Sequence, residues 1–526
     1  MHHRPSAVLA AVGTALAVLA GCAATEPVGA GPGPVVRTDA GPVRGAVTGA
    51  VHTFRAVPYA APPVGGLHWA PARPPQPWTE PRDATAPGRL CAQDGLELGR
   101  PSTDEDCLTL DVTTPAEPGG PPRPVLVWVH GGSNVDGGGG LYGAARLAAE
   151  GGLVVVTINY RLGALGFLTH PALPGADNLG LTDQQAALGW VRRNATAFGG
   201  DPGNVTLAGE SGGGAAVCTQ LASPAADGLF DKAIVSSADC TATWSPERST
   251  APRPHEIAQR RGQVIAQRLG CPDPATAADC LRSRPVPEVR AASESDGAGV
   301  GPVFGTPELP RDPAAVLRAG ALRDVPTMIG FNRDEERFRI YGEELGRGPT
   351  TLAHLRDEVT RLDGPDAPAV LAEYPCADDG CAATTLAELL TARNYARGAT
   401  DAAHRLSGGA PVFAFEFADQ RAPWFRELPP ARFPQGAYHT AELPYLFDVD
   451  WAEPLDPPQR ELATEMVGYW SRFARTGDPN GGDAPAWPPH TGPDSFQVLA
   501  PGPGGIHPAA GLAERHHLAF WAARPR

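Results

Sequence analysis

The chain has 526 residues, of which 63 are glycine and 58 proline, and its formal net charge is −15. Hydrophobic residues make up 42% of it and charged residues 19%, which excludes a mainly disordered protein because disorder accompanies low apolar and high charged content. The acidic charge and the lack of any Lys/Arg block exclude the electrostatic footprint of a nucleic-acid-binding protein.

The N-terminus has the features of an export signal. A basic end precedes the apolar run Ala7–Ala20, which is short for a membrane span. The run ends in the sequence Leu19-Ala20-Gly21-Cys22. This box resembles the signal of bacterial lipoproteins, in which the cysteine is lipidated and becomes the first mature residue. We therefore expect a signal peptide over residues 1–21, a flexible tether over 22–36, and membrane contact only through a lipid on Cys22. Ordinary cleavage and secretion is the alternative.

The cysteines predict a disulfide-bonded protein. Eight of the nine follow Cys22, and an even number in an exported chain indicates disulfides. Short spacings predict three pairs and leave a fourth: Cys91–Cys107, Cys271–Cys280, Cys376–Cys381 and Cys218–Cys240. The fourth stays open, because Cys218 is equally explained as a buried helical thiol. No CxxC pair or neighbouring His doublet indicates zinc, and we expect no metal.

Apolar strands alternate with helical stretches through the body of the chain. The predicted strands are Pro42–Gly45, Thr53–Tyr59, Val125–Val129, Val154–Asn159, Val205–Gly209, Ala233–Ser237 and Thr327–Phe331. Apolar spacing predicts helices over Leu181–Phe198 and Arg460–Arg475. Continuous apolar strands separated by amphipathic helices are typical of a parallel sheet covered on both faces. The sequence therefore predicts a doubly wound α/β fold, with an inserted helical cap at Pro252–Pro313.

One of these strands ends in a motif that can hold a reactive serine. Val205–Gly209 runs into Gly209-Glu210-Ser211-Gly212-Gly213 and then into small residues that can begin a helix. A strand, sharp turn and helix around G-x-S-x-G present a serine hydroxyl above a sheet, and side chains at the glycines would clash. After Val125–Val129 comes His130-Gly131-Gly132-Ser133, whose backbone N–H groups, with that of Gly212, can stabilise an oxyanion.

A serine hydroxyl needs a base, and the base needs a carboxylate to orient it. In the order typical of α/β-hydrolases the acid comes next and the histidine last. Asp334, Glu335 and Glu336 follow the strand Thr327–Phe331, and His439 lies further on in a loop. Spacing alone chooses none of the three carboxylates and does not dismiss other histidines.

Six segments in matching order resemble the type-B carboxylesterase and cholinesterase family over nearly the whole chain. They are Val57–Ala60, Glu105–Val112, Asn159–Gly163, Asn178–Gln184, Phe198–Pro202 and Phe473–Asn480. The resemblance implies an α/β-hydrolase fold in one domain over residues 37–526, with a mostly parallel central sheet, helices on both faces, and cap insertions at about 252–313 and 340–430. It also implies a cofactor-free serine carboxylesterase acting on small-molecule esters through an acyl-enzyme.

The family's functional positions match particular residues of this chain. Nucleophile, acid and base match Ser211, Glu335 and His439. The oxyanion donors match Gly132, Ser133 and Gly212. The supporting polar residues match Glu210 and Ser237. The two recurring disulfides match Cys91–Cys107 and Cys271–Cys280.

Several positions depart from the family's pattern. Ser133 replaces a glycine and Gly212 an alanine, changes that backbone N–H donors should tolerate. Glu336 replaces the glycine after the acid and Thr440 the glycine after the histidine, so we expect the triad to be crowded. Between Cys91 and Cys107 there is no tryptophan, the residue with which cholinesterases hold a quaternary ammonium by cation–π contact. Choline esters are therefore disfavoured.

Two alternatives to a carboxylesterase remain at this point. The family also contains catalytically silent binding or adhesion proteins, which usually lose a triad residue, whereas this chain has all three. A serine hydrolase of other specificity, a lipase or an amidase, is the second. Neither the natural substrate nor the oligomeric state can be inferred from the sequence.

Overall fold

The computed structural model describes residues 33–95, 100–117, 119–245, 251–294, 300–492 and 494–524. The predicted signal peptide, Cys22 and most of the predicted tether lie outside these residues. The first strand begins at Val35, two residues inside the range predicted as tether. Within the described ranges, no helix is both long and apolar enough to cross a membrane.

Strands occur along the whole of the described chain. In chain order they are β1 Val35–Arg37, β2 Pro42–Arg44, β3 Ala46–Thr48, β4 Val51–Pro58, β5 Arg82–Asp83, β6 Thr109–Pro115, β7 Arg123–Val129, β8 Val154–Ile158, β9 Gly200–Glu210, β10 Lys232–Ser236, β11 Arg253–Pro254, β12 Val303–Phe304, β13 Thr327–Asn332, β14 Val412–Phe417, β15 Phe496–Leu499 and β16 Ile506–Pro508.

The α-helices of the same residues begin after β7. In chain order they are α1 Ala145–Ala149, α2 Gly163–Phe167, α3 Leu179–Asn194, α4 Gly212–Ala222, α5 His255–Arg268, α6 Ala277–Arg282, α7 Val286–Glu294, α8 Pro313–Arg318, α9 Arg337–Arg347, α10 Leu352–Asp363, α11 Ala367–Glu373, α12 Asp379–Thr391, α13 Arg397–Leu406, α14 Leu443–Leu446, α15 Pro457–Thr476, α16 Leu512–Arg515 and α17 Leu518–Ala522.

One large sheet organises the molecule. In the described part of the chain it has eleven strands in the order β16-β15-β14-β13-β10-β9-β7-β8-β6-β4-β3. Along this order, each pair of neighbouring strands between β8 and β15 is parallel. At one edge β6, β4 and β3, and at the other edge β16, each pair antiparallel with the next strand inward. Every residue of β8, β10 and β13 is buried, as expected for parallel strands covered on both faces. The predicted α/β fold is confirmed.

Strand β14 falls inside the range 340–430 that was predicted as the second cap insertion. Its residues do not match the continuous apolar pattern expected of a buried strand, because Glu416 interrupts the apolar run. The carboxylate is fully buried and accepts hydrogen bonds from Arg333 Nη2 (2.8 Å), Arg515 Nη1 (3.0 Å) and His516 Nε2 (2.7 Å). Burial alone would raise the pKa of Glu416, but the bonds and charges of His516 and Arg333 lower it to about 2. A strand can therefore carry this ionised side chain.

The helices of the range predicted as the first cap pack on their own apolar cluster. Ile265 and Leu269 of the α5 region meet Val289 of α7, together with Phe167 and Leu168 at the end of α2. This cluster is separate from the clusters on the two faces of the sheet. These helices thus pack against the α2–α3 side of the molecule.

The structure contains disulfides at all four expected pairs: Cys91–Cys107, Cys218–Cys240, Cys271–Cys280 and Cys376–Cys381. The pair that spacing left open joins α4 to the segment just after β10. Disulfides of this number indicate a protein of an oxidising, extracellular compartment.

Candidate active site

Ser211 occupies the turn between β9 and α4. Its backbone has φ 55° and ψ −123°, outside the regions that side chains favour, and its N–H donates to Ser236 O at 3.0 Å. A Cβ added to Gly209 would lie 2.5 Å from the Gly213 backbone, and one added to Gly213 would lie 2.0 Å from Val129 O. The two outer glycines of the motif are therefore required by the close approach of β9, α4 and β7.

The structure brings Ser211 together with His439 and Glu335. Nε2 of His439 lies 2.8 Å from Ser211 Oγ, and Nδ1 lies 2.6 Å from Glu335 Oε2. The His439 backbone N–H also donates to Glu335 O at 3.1 Å, and the second carboxylate oxygen accepts from Asn332 N at 2.8 Å. Glu335 is 1% exposed, whereas the His439 side chain is 16% exposed. A buried carboxylate thus orients an imidazole that solvent and small molecules can reach.

Of the three neighbouring carboxylates, the one on Glu335 faces the imidazole. Asp334 pairs instead with Arg337 at 2.8 Å. Glu336 accepts from Asn394 Nδ2 at 2.8 Å. The carboxylates on either side of Glu335 are therefore held by partners other than the imidazole.

The turn after β7 lies against the serine. A Cβ added to Gly131 would be 3.1 Å from Ser211 Cβ, and one added to Gly212 would be 2.8 Å from Ser133 N. Gly132 and Ser133 have φ values of 88° and 54°, and their N–H groups have no protein acceptor among the described residues. The N–H of Gly212 begins α4 and so has no partner within the helix. Three N–H groups are thus available beside the serine.

This arrangement can support nucleophilic catalysis on a carbonyl compound. It combines a serine hydroxyl, a base within hydrogen-bond distance, a carboxylate that orients the base, and uncommitted N–H donors. In the described part of the chain, no three His, Cys, Asp or Glu side chains come together in a way that could hold a metal ion.

The profile of the carboxylesterase family matches residues 32–505. The chain belongs to the carboxylesterase family. It is 33% identical over 512 residues to the cocaine esterase of Homo sapiens, covering 91% of this chain and 88% of that protein. It is 35% identical over 472 residues to the para-nitrobenzyl esterase of Bacillus subtilis (strain 168), covering 86% and 92%.

Solved structures agree with the sequence comparison. The chain superposes on a PNB esterase with a TM-score of 0.74 at 33% identity, covering 90% of this chain and 96% of that one. The predicted α/β-hydrolase fold is therefore confirmed, and the protein is a carboxylic ester hydrolase.

The two polar residues expected to support the triad of this carboxylesterase differ in their contacts. Glu210 is 1% exposed, and its Oε1 lies 3.3 Å from His439 Nε2. Ser237 follows β10 with φ 52°, and its buried hydroxyl has no hydrogen-bond partner among the described residues. The structure therefore places Glu210, but not the Ser237 hydroxyl, in contact with the imidazole.

Sequence reasoning missed a second buried carboxylate in this carboxylesterase. Glu442 is 1% exposed, and its Oε2 accepts from Asn332 Nδ2 at 2.6 Å. The same amide donates to Tyr438 O at 2.8 Å. Burial, and then the charge of Glu335, raise the pKa of Glu442 to about 7. The only sequence signal is an acidic residue three positions after His439, too common a pattern to single it out.

The contact between Gly212 and Ser133 gives a prediction about the oxyanion turn. Gly212→Ala restores the family's usual residue, but its Cβ would press on the Ser133 backbone. We expect kcat/KM to fall by about 10²-fold, the typical effect of one lost donor, and to recover in part when Ser133→Gly lets the turn shift. Gly346→Ala in α9, where an added Cβ meets nothing, is the matched control. Unchanged kinetics for Gly212→Ala would contradict the prediction.

Proposed function

We propose that this carboxylesterase cleaves esters through an acyl-enzyme on Ser211. His439 Nε2 takes the hydroxyl proton as Ser211 Oγ attacks the ester carbonyl carbon, and the carbonyl oxygen becomes an oxyanion. Collapse of this intermediate breaks the bond to the alcohol oxygen, which leaves with the proton from His439. Glu335 holds the imidazole tautomer with Nδ1 protonated and stabilises the imidazolium.

The second half of the reaction uses the same groups. His439 removes a proton from water, the resulting nucleophile attacks the acyl carbon, and the carboxylic acid leaves as Ser211 recovers its proton. In both halves, the N–H groups of Gly132, Ser133 and Gly212 bind the oxyanion. No step needs a metal or an organic cofactor.

The observation that carries the proposal is the continuous contact from carboxylate to hydroxyl. Glu335 Oε2 to His439 Nδ1 is 2.6 Å, and His439 Nε2 to Ser211 Oγ is 2.8 Å. Hydrogen-bond distances at both ends of one imidazole are the geometric signature of an activated serine. A catalytically silent binding protein would not need both the contact between Glu335 and His439 and the contact between His439 and Ser211.

The test is covalent labelling with a fluorophosphonate, which requires an activated serine and no knowledge of the substrate. We expect one adduct, on Ser211 by peptide mass spectrometry, and its loss in His439→Ala. His354→Ala, which changes a histidine beside Arg347, is the matched control and should label normally. A folded protein that takes up no label would overturn the proposal and favour a binding role. Esters of graded chain length beside an anilide then separate esterase from lipase and amidase.

We also propose that the chain is held at the outer face of the bacterial membrane by a lipid on Cys22. The apolar run ending in Leu19-Ala20-Gly21-Cys22 supports this, and the disulfides fit the same side of the membrane. We expect wild-type protein in the membrane fraction and Cys22→Ala in the soluble fraction. Ala23→Ser, which keeps the cysteine, is the control. Membrane fractionation of Cys22→Ala would contradict lipid anchoring.

A further inference from the structure

The side chain of Gln93 is buried against the loop that follows β7, and the reaction scheme above gives it no role. Only 1% of this residue is exposed. Its Nε2 donates to Gly137 O at 2.7 Å, and its Oε1 accepts from Gly137 N at 2.8 Å. Nε2 also donates to Cys91 O at 3.0 Å. One side-chain amide therefore fixes both backbone groups of a single glycine.

Gly137 belongs to the same loop as the oxyanion donors. Six of the ten residues from 131 to 140 are glycine, so this loop has few side chains with which to fix its own backbone. The carbonyl of Gly132 accepts from Val135 N and Asp136 N, both at 2.9 Å, and a Cβ added to Gly132 would lie 2.3 Å from Asp136 O. Gly132 thus packs against the residue before Gly137, and a shift of Gly137 would move the Gly132 N–H.

Gln93 is itself fixed by the loop that carries it. That loop is closed by the Cys91–Cys107 disulfide, whose first cysteine lies two residues before Gln93. The Gln93 N–H donates to Ser102 O at 2.9 Å, and the Gln93 carbonyl accepts from Ser102 N at 3.0 Å. The amide of Gln93 is therefore a fixed support for a glycine-rich loop.

Gln93 also contacts a helix of the range predicted as the first cap. Nη1 of Arg290 on α7 donates to Gln93 O at 3.0 Å, and the same guanidinium forms an ion pair with Asp94. The Arg290 side chain is only 14% exposed, and a charged donor gives a stronger hydrogen bond than a neutral one. Helix α7 is thus connected to the oxyanion loop through Gln93.

Oxyanion donors act through their position. An N–H group stabilises the transition state only if it already points to the place where the carbonyl oxygen becomes negative, and a displacement of about 1 Å can cost about 10²-fold in rate. The carbonyl of the bound ester carries no full charge, so substrate binding depends much less on the same donors. A residue that fixes these donors should therefore affect kcat more than KM.

We propose that Gln93 is a positioning residue for the oxyanion donors of Gly132 and Ser133, and that Arg290 of α7 supports it. This inference rests on the proposed acyl-enzyme function. It extends the groups that support catalysis to the Cys91–Cys107 loop and to α7.

The first test removes the amide and measures ground state and transition state separately. We expect Gln93→Ala to lower kcat for p-nitrophenyl acetate by about 10- to 100-fold, with a much smaller change in KM. A trifluoromethyl ketone reports on the donors directly, because Ser211 Oγ adds to its carbonyl carbon, His439 takes the proton, and the ketone oxygen becomes an oxyanion. Its inhibition constant should rise by about the factor by which kcat/KM falls.

A second variant keeps the shape of the side chain and makes its hydrogen bonds depend on pH. In Gln93→Glu, an ionised carboxylate can accept from Gly137 N but cannot donate to Gly137 O, whereas the protonated acid can do both. Burial raises the pKa of a carboxylic acid. We therefore expect the ratio of the variant's kcat to that of wild type to rise as the pH is lowered. A loss of packing alone would give a ratio that does not depend on pH.

The contribution of α7 is tested by a double-mutant cycle. Arg290→Ala should lower kcat in the same way by a smaller factor. The double variant with Gln93→Ala should lose no more than Gln93→Ala alone, because Arg290 acts through Gln93. Arg284→Ala, which removes a nearby arginine that pairs with Glu288 of α7 at 3.8 Å, is the matched control and should keep the wild-type kcat.

Fluorophosphonate labelling separates failure of this inference from failure of the proposed function. Absence of a Ser211 adduct in the wild type would overturn the acyl-enzyme function itself. If the wild type labels but folded Gln93→Ala keeps its kcat and its affinity for the ketone, the inference is wrong. A rise in KM with kcat unchanged would also overturn it. Should Gln93→Ala fail to fold, unchanged kcat in both Gln93→Glu and Arg290→Ala would decide against the inference.

Discussion

Replacing Ser211 with alanine is expected to lower kcat/KM for any ester substrate by about 10⁶-fold, the size seen when a serine nucleophile is removed. The reason is geometric, since Oγ is the atom that His439 Nε2 contacts at 2.8 Å and the only side-chain atom lost. Residual rate would come from the N–H donors and substrate binding alone. Initial-rate kinetics with an activated ester measure the loss.

The fold should be unaffected by this change. Alanine removes no structural hydrogen bond, because the backbone bond from Ser211 N to Ser236 O remains. Thermal unfolding should therefore stay close to wild type, which distinguishes lost chemistry from lost structure. Ser283→Ala, at an exposed position whose hydroxyl bonds only the Cys280 carbonyl in the structure, is the control. Turnover retained by folded Ser211→Ala would show that the nucleophile is misassigned.

The second large effect is expected at the acid. Glu335→Gln keeps the size of the side chain, but an amide cannot offer the charge that holds Nδ1 protonated and stabilises the imidazolium. We expect kcat to fall by about 10⁴-fold, as in other triads that lose this carboxylate. Steady-state kinetics across the neutral pH range give the measurement.

Asp334 and Glu336, the two neighbours of Glu335, supply matched control variants for Glu335→Gln. Asp334→Asn changes a carboxylate that pairs with Arg337, and Glu336→Gln keeps an oxygen that can accept from Asn394. Both should retain most of the ester hydrolysis that Glu335→Gln loses. Equal losses at all three positions would mean that the acid has been assigned to the wrong residue.

The fold could be predicted where a strand is apolar from end to end. Val154–Ile158 and Thr327–Asn332 were placed to within a residue, because burial on both faces requires such runs. Strand β14 could not be found in this way, since its Glu416 is acceptable only beside Arg333, Arg515 and His516, which come from distant segments.

The candidate site likewise has residues that the sequence alone indicates and residues that it does not. The G-x-S-x-G turn is local, so the sequence indicates the position of Ser211 directly. The choice of Glu335 from three adjacent carboxylates rested on resemblance alone, because each points to a different partner in three dimensions. Glu442 was missed because it is linked to Glu335 through the hydrogen bonds of Asn332 and belongs to no motif.

The Cys218–Cys240 disulfide bears on how this protein should be produced. It links cysteines 22 positions apart, one in the helix that follows Ser211 and one in the segment after β10, and a crosslink of that span contributes about 3 kcal/mol. Cells that keep thiols reduced would deliver a chain without it. Recombinant material from a reducing cytoplasm is then a different molecule from the disulfide-bonded one, and a thiol titration of each batch should precede any comparison of rates.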